Sequence, residues 1–163
     1  VPANALAVDA EAIAAACHAM AGRFHLGGRL VVFGVGGSAA DAAHVVVEFV
    51  HPVIVGKRAL SAFALSGPGL AEQLRMLADP ADIALGIASG APDEEVTGAL
   101  HAARLGGLLT IGLFGEPEVL CSAEHTLVVR SSDPLVVKEV QVTTYHVLWE
   151  LVHVFLERPE VLS

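Results

Sequence analysis

Apolar residues follow two rhythms along this chain. Leu30-Val31-Val32-Phe33, Asp82 to Ile87 and Leu108 to Phe114 are short, nearly continuous apolar runs bounded by glycine or turn residues. Such runs suit strands buried on both faces of a sheet. Between them the apolar positions fall at helical spacing, as in the stripe Ile13, Cys17, Met20 and Phe24, which marks one face of a helix. The pattern predicts a leading helix over 9–25, strand 30–33, a helix from Ser38 to about Val50, strand 59–65 and a short helix over 70–78. It continues with strand 82–87, a helix capped by Asp93 and running to about Leu105, strand 108–114, a short helical turn over 116–123, strand 125–129 and a long final helix over 134–157. Strands alternating with helices at these distances mean βαβ units and a parallel sheet with right-handed crossovers. The expectation is one α/β domain spanning 1–163: the leading helix, sheet and helices over 29–130, and the final helix.

The turn after the first strand carries the clearest candidate chemistry. Gly34, Gly36 and Gly37 permit a sharp bend and close backbone approach. Ser38 is a good N-cap, and Ser38-Ala39-Ala40-Asp41 fits a capping box. A glycine turn leading into a helix N-terminus offers free N–H groups to an anion. The dinucleotide fingerprint does not fit. Ala39 stands where its last glycine belongs, and no acidic residue closes a second strand near residue 60, so no nucleotide cofactor is expected.

Composition narrows the class. The chain is 54% hydrophobic with mean hydropathy +0.63, yet charge interrupts every run before the roughly 18 residues that span a bilayer. No membrane contact is expected. Surface this apolar is expected to be buried between subunits as well as within one. A net charge of −9 argues against a nucleic-acid groove. Two cysteines, Cys17 and Cys121, form no disulfide framework, and the N-terminus shows no basic segment followed by an apolar core. A cytoplasmic location is expected.

With these parts in order, Gly34-Val35-Gly36-Gly37-Ser38, Asp41, His44 and Glu48 resemble the motif of the sugar isomerase (SIS) domain. Within that family they resemble the phosphoheptose isomerases, which interconvert sedoheptulose 7-phosphate and a heptose 7-phosphate. The resemblance extends over Asp82 to Gly90 and to Glu139-Val140-Gln141 at the start of the last helix. It implies a flavodoxin-like, three-layer sandwich around a five-stranded parallel sheet, and a homo-oligomer, tetramer or dimer, with sites shared between subunits.

The resemblance also assigns roles. Gly36, Gly37 and Ser38 would hold a sugar phosphate, with Ser66 and Ser89 as further substrate contacts, and Asp41 would meet sugar hydroxyls. Glu48 would be the base. His44, Glu48 and Gln141 would bind zinc where the family uses it. The family's last ligand is a His eight residues beyond the Gln, where this chain has Trp149; His146 or His153, one turn to either side, is then the candidate acid. Val35 replaces the family's Asn, and Ala88-Ser89-Gly90-Ala91-Pro92 followed by Asp93, Glu94 and Glu95 departs from its second, hydroxyl-rich loop. These departures set up an alternative: a non-catalytic SIS domain that senses a ligand or docks a protein, as do the members that associate with a replication initiator.

Overall fold

The computed structural model describes residues 9–116 and 121–163. The chain alternates as expected: α1 (Ala10–His25), β1 (Leu30–Gly34), α2 (Gly37–Val50), β2 (Ala62–Leu65), α3 (Leu70–Leu77), β3 (Ile83–Ile87), α4 (Glu94–Leu105), β4 (Leu109–Gly115), β5 (His125–Val129) and α5 (Pro134–Leu156). A single 3-10 turn, Pro159–Val161, follows. All strands pair in parallel, in the order β2-β1-β3-β4-β5.

Alternation along the strands builds two cores. Leu30 and Val32 face one side with Ile83, Leu85 and Ile87, against α1, α2 and α5. Val31 and Phe33 face the other with Ala84, against α3 and α4. The result is a three-layer sandwich, with the sheet's central strands fully buried. Gly86 lets α4 close on the sheet: a Cβ there would meet Leu100, Val96 and Phe33 at 3.0–3.2 Å. At the opposite end of the strands from the glycine turn, the buried Asp82 accepts from the Arg29 guanidinium at 2.7 Å and from the backbone N–H groups of Arg29 and Asp79. Burial alone would raise the Asp82 carboxyl, but these hydrogen bonds and the guanidinium charge outweigh it and hold it below the usual carboxylate range.

Three local expectations are corrected. Ser38 does not cap α2. The helix begins at Gly37 with Gly36 as N-cap and no side-chain cap bond, so Ser38 is already inside the first turn and buried. Gly36 at φ 57° makes this earlier start possible. Gly34 makes room for it, since a Cβ there would lie 2.8 Å from the Ser38 Cβ. The second strand is shorter than 59–65. Leu60 N–H donates to Phe49 O at the end of α2, which draws the segment off the sheet until Ala62. The helical turn over 116–123 is not seen at 116 or 121–123, and its middle, 117–120, lies outside the described residues.

Strand order places the site. It reverses direction between β1 and β3, which are neighbours although β2 lies between them in sequence. In open α/β sheets ligands bind at the carboxyl ends of strands at such a switch point. The loops that leave this point are Val35–Gly36 and Ala88–Pro92.

Candidate active site

Asp41, His44 and Glu48 lie on one stripe of α2, at spacings of three and four residues. They meet a stripe of α5 in three polar pairs. Lys138 Nζ stands 3.1 Å from Asp41 Oδ2. The Tyr145 hydroxyl is 2.7 Å from His44 Nδ1. His146 Nε2 is 3.6 Å from Glu48 Oε1. Within α2, His44 Nε2 is 3.1 Å from the same Oε1. Glu48 thus has one oxygen facing two imidazoles.

The tautomers follow from the partners. His146 Nδ1 lies 2.7 Å from Val142 O, so it must carry the proton it donates, and Nε2 is the nitrogen turned to Glu48. Tyr145 is buried, and burial together with the nearby Asp41 and Glu48 charges pushes its hydroxyl up to about 12. It remains a neutral phenol at any working pH. Its O–H donates to Nδ1 when His44 Nε2–H donates to Glu48. It accepts from Nδ1–H when Nε2 holds its lone pair free.

One ligand atom from each of His44, Glu48 and His146 lies within 4.8 Å of the other two. Two imidazoles and one carboxylate, with a fourth position open, form the donor set of catalytic zinc sites. Each ring's other nitrogen has the hydrogen-bond partner that such ligands usually have. The residues fit a divalent cation.

The other expected site residues separate into near and far. Gly36, Gly37 and Asp41 line the first loop and the turn after it, and Ser89 is half-buried at the end of β3. Ser66 is exposed beyond β2, where its carbonyl accepts from Gln73. Gln141 is not beside His44 and Glu48. It is buried, and its Nε2 donates to Ala88 O at 2.7 Å and to Leu113 O at 3.3 Å, tying α5 to the ends of β3 and β4. His153 is equally remote. It is buried between Trp149 O and Arg58 O, at 2.9 and 3.1 Å. Of the two candidate acids only His146 reaches Glu48.

Trp149 packs in the main core. Counting back eight residues from His146 gives Lys138, not Gln141. The sequence reading therefore ran three residues late along the last helix. Three residues is 60° short of a full turn, so both registers keep similar faces inward. The signal that separates them is the pair Tyr145-His146 opposite His44 and Glu48. Lys138 and Tyr145 were missed because neither belongs to the motif.

A family model for the SIS domain matches residues 3–91. The phosphoheptose isomerase of Solidesulfovibrio magneticus is 33% identical, over 90% of this chain and 80% of that protein. A phosphoheptose isomerase structure from Francisella tularensis superposes with a TM-score of 0.80 at 23% identity, covering 88% of this chain and 85% of the other. One from Neisseria gonorrhoeae superposes equally well at 22% identity, covering 91% and 89%. The chain belongs to the SIS domain family. Within it, the chain is of the phosphoheptose isomerase type, and the flavodoxin-like sandwich expected from sequence is the fold observed.

Proposed function

We infer that the chain is a phosphosugar aldose–ketose isomerase, with sedoheptulose 7-phosphate as substrate. The observation that carries this is Glu48, placed between two imidazoles on a stripe that begins at the glycine loop of the switch point. Isomerisation moves a proton between C1 and C2 and needs an acid for the carbonyl oxygen. Glu48 Oε1 faces His44 and His146, which leaves Oε2 to take the carbon-bound proton, exchange it with solvent and return a proton to the neighbouring carbon. His146, anchored through Nδ1–H, can take the substrate hydroxyl proton on Nε2 and, as the imidazolium, pass it to the carbonyl oxygen; a metal ion held at Nε2 would take the place of that role. Tyr145 fixes the His44 ring. Asp41 meets sugar hydroxyls, and the turn at Gly36, Gly37 and Ser38, with Ser89 beside it, receives the phosphate end. His44, Glu48 and His146 would hold a divalent ion such as zinc, which when bound supplies positive charge to the sugar's carbonyl oxygen. Glu48→Gln should lower turnover of sedoheptulose 7-phosphate at least about 100-fold while the protein stays folded. Wild-type rates in that variant would remove the assignment.

Assembly and location complete the reading. Among the described residues no helix is long and apolar enough to cross a membrane. Val53 and Val55 are 81% and 100% exposed just beyond α2, with Ile54 between them. This apolar segment suits a contact between copies in a homo-oligomer. Both cysteines are free, which suits the reducing cytoplasm.

A further inference from the structure

The first turns of α5 lie across both loops of the switch point. Gln141 holds Ala88 O on one side. On the other, Lys138 Nζ donates to Gly37 O at 3.3 Å and stands 3.1 Å from Asp41 Oδ2. A Cβ built on Gly37 would have this ammonium as its neighbour, at 3.4 Å. The glycine loop thus has a resident cation.

That cation is only partly engaged. An ammonium has three donors, and one goes to Gly37 O. The approach to Asp41 is close enough for an ion pair but off the direction of a hydrogen bond. Asp41 Oδ2 is buried without a hydrogen-bonded partner among the described residues. The Lys138 side chain stays 38% exposed. Donors remain for a ligand, and so does an acceptor beside them.

Beyond Ser89, the starts of α4 and α3 offer an anion much less. Asp93 Oδ1 accepts from Val96 N–H at 3.0 Å and so caps α4 itself. The Glu95 carboxylate accepts from Gly69 and Leu70 N–H at 3.2 and 3.1 Å, at the start of α3. Both helix starts already hold a carboxylate, with Glu94 between them in sequence. A phosphate dianion is repelled there and attracted to Lys138.

The spacing agrees. From the Asp41–Lys138 pair to the Glu48–His146 pair is seven residues on α2 and eight on α5, about 10–12 Å at 1.5 Å per residue. An extended chain advances about 1.2 Å per bond. Phosphorus and C2 of a heptose 7-phosphate are then about 8 Å apart, and a hydrogen bond at each end closes the gap. A triose phosphate falls short.

We propose that Lys138 is the phosphate-binding cation of this site, drawn off Asp41 by the substrate's phosphate while Asp41 turns to the sugar hydroxyls. This rests on the sugar-phosphate reading above. The test measures sedoheptulose 7-phosphate affinity by calorimetry, and kcat and KM by turnover, in wild type, Lys138→Met and Lys138→Arg. Removing the charge should weaken binding and raise KM about tenfold or more, the scale of a charge-assisted hydrogen bond. kcat should stay within about threefold, and Arg should restore most of the affinity. If Lys138→Met does not fold, Lys138→Gln, which can still donate to Gly37 O, takes its place. Wild-type affinity and KM in the uncharged variant would overturn the proposal and leave the isomerase reading standing. Wild type that binds without turnover, with binding lost in Lys138→Met, would keep Lys138 and remove the isomerase reading. Wild type that does not bind the sugar phosphate would remove both.

Discussion

Glu48 Oε1 is shared by His44 and His146, and the Tyr145 hydroxyl stands behind His44 at 2.7 Å. Tyr145 touches the ring through Nδ1 and acts as a positioning residue. Tyr145→Phe removes that partner and leaves the His44 tautomer unset. The expected result is a loss of about tenfold or more in kcat/KM, with a changed pH profile and only about 1 kcal/mol lost in stability. An unchanged profile would make Tyr145 a packing residue only. Cys17 is the contrary case. Burial pushes its thiol up to about 12, so it should resist alkylation in the folded protein until denaturant exposes it. Legibility at this scale followed local spacing. His44 and Glu48 were readable because four residues on one helix fix them to one face. Tyr145 and Lys138 act only through contacts about 100 residues away in sequence, which no local pattern encodes.

At the level of elements, α5 is the part that completes the site, and it was the part read in the wrong register. Its apolar positions run nearly all round, since it faces both the core and the α2 seam. A shift of three residues therefore leaves the pattern almost intact. The strands were legible because burial on both faces leaves few alternatives. The start of α2 was not, because a positive-φ glycine, rather than Ser38, sets it. At the other end of the strands, Asp82 with Arg29 joins the start of β1 to the start of β3. Asp82→Asn should cost about 2–3 kcal/mol in unfolding free energy, because it leaves Arg29 without its buried partner. The Asp82 carboxyl lies below its unfolded value near 3.9. Its stabilisation is therefore complete above that value and lost as pH falls through the folded one. The gap between wild type and Asp82→Asn should be constant from about pH 5 to 8 and shrink below about pH 4. A gap that grew with acid would contradict this assignment.

For the molecule as a whole, one sheet carries both loops of the switch point, and α1 and α5 cover the same face. We expect 1–163 to behave as one domain and unfold in one calorimetric transition; two resolved transitions would contradict this. The exposed segment at Val53, Ile54 and Val55 predicts an assembly larger than a monomer by light scattering. Charged substitutions there, such as Val55→Asp, should weaken it. The proposed role of Glu48 is to move a proton between two carbons of a sugar phosphate. Its most direct test is sedoheptulose 7-phosphate turnover in deuterated water, followed by NMR for wild type and Glu48→Gln. Wild type should form the heptose 7-phosphate with solvent deuterium at the C1–C2 centre, and Glu48→Gln should form neither product nor label. Binding without turnover in wild type, or labelled product from Glu48→Gln, would contradict it.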